Sequence, residues 1–175
     1  AYRHCTYAFD LLYAIYEEEG YDAPEIPALI LRHNLYGVDI CDRAVALASF
    51  ALCMKARAKD NRFFRRAVQP HLISLQEIRF EEGELRAYIR ALNLGDLFNQ
   101  PMLKLLHQFE EAKNFGSLIK PCLDEAGIAF ARRAIEAKDL GGQLFLRETH
   151  AKVLGDYEQS EYHSQRYHVV VANPP

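Results

Sequence analysis

Leu35-Tyr36-Gly37-Val38-Asp39, followed by the segment Asp42 to Ala58, is the stretch on which the fold turns. Its first part is short, apolar and closed by an acid. Its second part sets Val45, Ala48 and Leu52, with Ala44, Leu47 and Ala51, along one broad helical stripe. Strand, acid, helix is the sequence form of a βα unit in an open α/β sheet. Asp39 then stands at the carboxyl end of a strand, the edge from which nucleotide-binding α/β folds accept ribose hydroxyls. Its carboxylate can accept from two hydroxyls, with Ile40 beside it to lie against an adenine face. The other reading of Asp39 is a cap for the helix that follows.

Outward from this unit the periodicities continue. Upstream, Tyr7 to Glu19 carries Phe9, Leu12, Tyr13 and Tyr16 at helical spacing and ends in Glu17-Glu18-Glu19 before Gly20, a solvated helix end with a glycine stop. Pro24 and Pro27 open a short helix that runs through Leu31 and stops near His33-Asn34. Downstream, His71 to Leu75, entered through Pro70, is a further strand. From Phe80 to about Tyr157 helical spacing dominates: Leu85, Tyr88, Ile89, Leu92; Met102, Leu105, Leu106, Phe109; Ile128, Phe130, Ala131, Ile135; Leu144, Phe145, Leu146. A polar stretch, Gln159 to Arg166, leads into Tyr167-His168-Val169-Val170-Val171-Ala172, whose β-branched run predicts a buried parallel strand. The expected organisation is a partial core over 1–79, a helical insertion over 80–160, and a strand with its loop over 161–175.

That last strand runs into Asn173-Pro174-Pro175. Two prolines cannot continue a central strand, so they place a stiff loop at the carboxyl edge, where open α/β sheets bind ligands. An Asn side-chain oxygen and a neighbouring carbonyl can each accept one hydrogen of an exocyclic amine. That steers the nitrogen lone pair toward a methyl donor, and the prolines reduce the entropy lost on ordering the loop. An ordinary proline-rich loop is the alternative. Asp39 and Asn173 together fit one site along the carboxyl edge of a single sheet.

Composition narrows the class. The 175 residues are 50% hydrophobic and 26% charged, enough for a real core. No window is long and apolar enough to span a membrane, and Ala1 to Asp10 lacks the order of a signal peptide. A formal net charge of −3 excludes binding nucleic acid by bulk charge, so any such contact needs a local patch. Lys55, Arg57, Lys59, Arg62, Arg65 and Arg66, offset only by Asp60, offer one, with Arg62, Arg65 and Arg66 the candidate phosphate contacts. Cations near a helix C-terminus are also favourable without any partner. Cys5, Cys41, Cys53 and Cys122 lack C-x-x-C pairing, which favours free buried thiols in the reducing cytoplasm over a zinc site; no metal is expected. His163 and His168 have no carboxylate at catalytic spacing and read as surface or packing residues.

Leu35-Tyr36-Gly37-Val38-Asp39-Ile40 with Arg43-Ala44-Val45 resembles the second cofactor motif of adenine-N6 methyltransferases, and Val169 to Pro175 resembles their Asn-Pro-Pro-Tyr motif. Tyr7-Ala8-Phe9-Asp10-Leu11-Leu12, Ile73-Ser74-Leu75-Gln76-Glu77 and the long helical block look like the large methyltransferases of BREX phage-defence systems, the PglX type. The likeness runs from about Tyr7 to the end. It implies a partial Rossmann-like, S-adenosylmethionine (SAM)-dependent fold, helix-rich overall, that methylates N6 of an adenine flipped out of double-stranded DNA. In that frame Asp39 binds the cofactor ribose, Ile40 its adenine, and Gln76 or Glu77 the adenine amine. Asn173 and the Pro174 carbonyl hold the target amine, and Pro175 stiffens the loop.

The departures from the family pattern are equally specific. Residues 1–6 hold no glycine-rich loop, no aromatic follows Pro175, and Cys41 stands where an acidic or small polar residue is usual. The expectation is a piece of a catalytic domain that binds SAM weakly or not at all and does not turn over alone. A protein-glutamine methyltransferase shares the Asn-Pro-Pro logic. A non-catalytic helical module, binding other phage-defence subunits or a second copy of the chain, is the alternative from a different class.

Overall fold

The computed structural model describes residues 2–93, 95–138 and 144–172. In order they form α1 (Tyr2–Glu18), α2 (Ile26–His33), β1 (Tyr36–Asp39), α3 (Asp42–Lys59), a 3-10 turn (Phe63–Arg66), β2 (His71–Ser74), α4 (Glu82–Leu92), α5 (Asp96–Gln108), α6 (Ala112–Phe115), a second 3-10 turn (Gly116–Leu118), α7 (Glu125–Glu136) and α8 (Leu144–Ser164). Two compact units result. The first runs to Ser74 and takes up the chain again from Val169; the second is Leu75–His168.

In the first unit α1 buries Phe9 and Tyr13, as their spacing predicts. It ends in a Schellman cap: Tyr21 N–H donates to the Tyr16 carbonyl at 3.0 Å and Gly20 N–H to Glu17 at 3.1 Å. Gly20 has φ +81°, a conformation that costs glycine little. The rings of Tyr16 and Tyr21 meet edge-on, 4.8 Å apart, supplying the apolar contact that accompanies this cap. Glu17 to Glu19 are solvated, as expected. α2 starts with Pro27 in its first turn, where a missing N–H costs nothing, and buries Ile26, Ala28, Ile30 and Leu31.

β1 and β2 pair in parallel with Tyr36 opposite His71, Gly37 opposite Leu72, Val38 opposite Ile73 and Asp39 opposite Ser74. α3 makes the crossover and buries Ala48, Leu52 and Ala56. The βα unit is therefore as expected, except that Leu47 faces solvent rather than the core. Gly37 has a packing reason: a Cβ there would lie 2.5 Å from Leu72 Cδ2.

The run 167–172, expected as a buried parallel strand, is irregular chain. Val169, Val170 and Val171 are 79%, 76% and 68% exposed. β-Branched side chains favour a pleated, covered surface rather than a strand as such, and no described strand offers this segment a ladder.

The second unit is helical, with Leu85, Tyr88, Ile89, Leu92, Met102, Leu105, Leu106, Phe109, Ile128, Ala131 and Ile135 in its core, as their spacing predicts; Phe130 is exposed. α7 is capped by Asp124, which accepts from Gly127 N–H at 2.9 Å. Arg132 of α7 reaches Glu161 of α8 at 2.5 Å. The stretch from Gln159, expected as a polar lead-in, is the last part of α8 through Ser164. Its inward face is mixed: Leu146, Val153 and Tyr157 are buried beside Thr149, Asp156, Gln159 and Ser160.

Candidate cofactor edge and basic segment

Because β1 and β2 are parallel, their carboxyl ends lie side by side at the Asp39–Ser74 pair. Asp39 Oδ1 accepts from the Cys41 backbone N–H at 2.9 Å. Cys41 is the N-cap position of α3. One carboxylate oxygen thus closes the turn from strand to helix, and the other meets no hydrogen-bond donor among the described residues. The carboxylate therefore makes a local turn at the helix entrance, bonding the backbone of Cys41 rather than an N–H inside α3, and keeps one acceptor over among the described residues. Ile40, 57% exposed, presents apolar surface directly beside it.

Leu75, which follows β2, is buried, and Gln76 is half-buried with Glu77 exposed. The Gln76 N–H donates to the side-chain oxygen of Gln159 at 2.8 Å. These residues belong to the second unit, whereas Asp39 and Ile40 belong to the first. Asn173, Pro174 and Pro175 lie outside the described residues.

The basic cluster divides into engaged and free cations. Lys55 pairs with Asp10 of α1 at 2.5 Å, a partner 45 positions away. Lys59 sits 4.0 Å above the Tyr13 ring. Asp60 accepts from the Arg62 backbone N–H and from Arg66 Nε, each at 2.8 Å. Burial raises the Asp60 carboxyl pKa, but those two donors and the nearby Arg57 charge outweigh it and leave the group below its ordinary value. Arg66 is therefore committed to the fold. The side chains of Arg62 and Arg65 are exposed and without an ion-pair partner among the described residues, with exposed Phe64 between them.

The four cysteines are free, but none is buried: Cys41 is exposed and the others are half-buried. His163 is a packing residue, with its ring edge-on to Phe109 and its nitrogens 2.9 Å from the Gln159 carbonyl and 3.1 Å from that of Gly116. Sequence reasoning missed the buried acid Asp156. Among the described residues its Oδ2 has no partner and its Oδ1 accepts from Gln159 Nε2 at 3.3 Å. Burial, helped by Glu110, pushes its pKa up to about 8. No helix among the described residues is long and apolar enough to cross a membrane, and no protein-family model matches the chain.

An acid closes the first strand of this parallel βαβ unit, and over nearly its whole length the chain is similar to part of an adenine-specific methyltransferase. It is 35% identical over 190 aligned positions to adenine-specific methyltransferase BrxX of Escherichia coli O9:H4 (strain HS), a match covering 97% of this chain and 16% of that protein. It is 34% identical over 113 positions to adenine-specific methyltransferase PglX of Lacticaseibacillus casei (strain Zhang), covering 65% of this chain and 9% of that protein. The chain thus spans a minor part of the length of both relatives, and the resemblance read from its motifs is confirmed.

Proposed function

We propose that this chain is the part of a SAM-dependent DNA adenine-N6 methyltransferase, on a partial Rossmann-like core, that holds the methyl donor's nucleoside and the target amine. Asp39 carries the reading: it ends β1 with one oxygen bonded to the Cys41 N–H in the turn into α3 and one without a donor among the described residues. A ribose diol supplies two hydroxyl donors to such an acceptor, and exposed Ile40 is placed to cover an apolar base face. SAM, when bound, supplies an activated methyl group on its sulfonium.

The roles of this chain's residues follow from their chemistry. Asp39 accepts from the ribose and Ile40 packs on the cofactor adenine, with Gln76 and Glu77 as contacts for the adenine amine. Asn173 and the Pro174 carbonyl accept the two amino hydrogens of the target, and Pro175 limits the loop's freedom. The substrate is double-stranded DNA with one adenine flipped out. Arg62 and Arg65, exposed and uncommitted, are the phosphate contacts, while Arg66 supports them from Asp60. Further phage-defence subunits and a second copy of the chain are the proposed protein partners. Four free thiols suit a reducing cytoplasm.

Both relatives are named as adenine-specific, which favours adenine over a protein glutamine as the methylated group. The test is transfer of labelled methyl from SAM to duplex DNA by the intact protein, with the product nucleoside identified. N6-methyladenine formed by the wild type and lost in Asn173→Ala is expected. Label on a protein glutamine, or an Asn173→Ala variant as fast as wild type, would overturn the reading.

A further inference from the structure

Ser74 is the last residue of β2, so the N–H groups that follow it leave the ladder and need other acceptors. Gln76 finds one 83 positions away in the chain, on α8: the side-chain oxygen of Gln159, at 2.8 Å. Gln159 is 3% exposed and cannot turn freely. Its oxygen must face the Gln76 N–H, which leaves its Nε2 to donate to Asp156 Oδ1 at 3.3 Å. The two ring nitrogens of His163 lie 2.9 Å from the Gln159 backbone carbonyl and 3.1 Å from that of Gly116, and whichever carries the proton donates to its carbonyl. Leu75, the neighbour of Gln76, is buried in the same core. The backbone after β2 is therefore held by an apolar plug and by a buried amide whose nitrogen donates to Asp156.

We propose that Gln159 is a positioning residue, whose amide holds the backbone at Gln76 and thereby sets the segment that meets the methyl donor's adenine. The role of Gln76 and Glu77 toward that adenine rests on the function proposed above; the Gln159 anchor rests on hydrogen bonds alone. Within the helical unit α8 then has a task beyond bulk: it supplies the acceptor for the Gln76 N–H. A side chain with the same reach but no acceptor removes the bond from Gln159 to the Gln76 N–H, and the adenine-facing segment samples other conformations before each binding event.

Two readouts on the intact protein test this: exchange of the Gln76 amide with solvent deuterium, and SAM affinity by titration calorimetry. Gln159→Met keeps the length and removes the acceptor. It is expected to speed Gln76 exchange and weaken SAM about tenfold each, the scale of one lost hydrogen bond. Gln159→Asn, one methylene shorter, withdraws the acceptor without placing an apolar group beside Asp156, and serves if the Met variant does not fold. The double variant Gln159→Glu with Asp156→Asn restores an acceptor for Gln76 and a donor for residue 159, and is expected to recover both readouts.

Gln76 exchange that stays at the wild-type rate in a folded single variant overturns the anchor. Faster exchange with unchanged SAM affinity overturns the positioning role. A wild-type protein that binds no SAM overturns the underlying functional reading and the positioning claim with it. The exchange data then still tell that failure apart from a failed anchor.

Discussion

Replacing Asp156 by Asn should stabilise the helical unit at neutral and alkaline pH. Asp156 is 0% exposed, and among the described residues one of its oxygens has no partner while the other accepts one long hydrogen bond. Burial, then the charge of Glu110, raises its pKa to about 8, against about 4 in an unfolded chain. The folded state thus keeps a proton that the unfolded state releases. A raised pKa contributes stability in full below about pH 4 and loses it as pH rises through about 8. At about 1.4 kcal/mol per pH unit, roughly 4 kcal/mol has gone by pH 7. Asn cannot ionise and so escapes that loss, while its unpaired amide group gives back about 1 to 3 kcal/mol. Urea unfolding of wild type and Asp156→Asn from pH 4 to pH 9 measures the difference directly. The gain should be near zero or negative at pH 4 and grow to a few kcal/mol by pH 8. A wild-type stability that rises between pH 5 and pH 8, or a variant that loses more at pH 8 than at pH 5, would refute the reasoning.

Other outcomes follow from the same geometry. Asp60→Ala removes the acceptor for Arg62 N–H and Arg66 Nε, and thermal melts should show a loss of about 2 kcal/mol, discounted because Arg66 is partly solvated. Because the Asp60 pKa is depressed, its contribution is present above the ordinary carboxylate range and fades as pH falls through the folded value. The Ala variant should therefore match wild type most closely in acid. Gly37→Ala puts a methyl 2.5 Å from Leu72 Cδ2, the end of a half-buried side chain that can turn aside, and should cost no more than about 1 kcal/mol in urea unfolding, with recovery when Leu72→Val makes room. Arg62→Ala and Arg65→Ala should weaken DNA binding about equally on all sequences and each lower the salt slope by about one, whereas Arg66→Ala should chiefly lower the melting temperature.

The first unit was legible because its cues are local. Glycine after an acidic run, proline in a first helical turn, and a strand closed by an acid before a helix act within a few residues, and α1, α2, β1 and α3 formed where those cues stand. What stayed hidden depends on partners far along the chain. Asp10 neutralises Lys55 from 45 positions away, so the basic cluster read as less compensated than it is. α8 buries Thr149, Asp156, Gln159 and Ser160 among its apolar residues, which erased the hydrophobic period at its end and made it resemble a polar connection. Leu47 and Phe130 fit a helical stripe yet face solvent, since spacing reports a face and not what covers it. The 167–172 run failed as a strand for the related reason that β-propensity needs a ladder and a cover. At the candidate site, the place of Asp39 and Ile40 at the end of β1 was legible from pattern, while the amide of Gln159 had no signal in the sequence.

The claim that matters most is that Asp39 holds the methyl donor through its uncommitted oxygen, and calorimetric titration of SAM into the intact protein and its Asp39→Ala and Asp39→Asn variants tests it most directly. Asn keeps an oxygen for the Cys41 N–H and so preserves the turn, while weakening the acceptor offered to the ribose. The expected result is an affinity about 10- to 100-fold lower for Ala, the range for hydrogen bonds to a charged group, with Asn between the two and folded like wild type. Equal SAM affinity in all three proteins would contradict it.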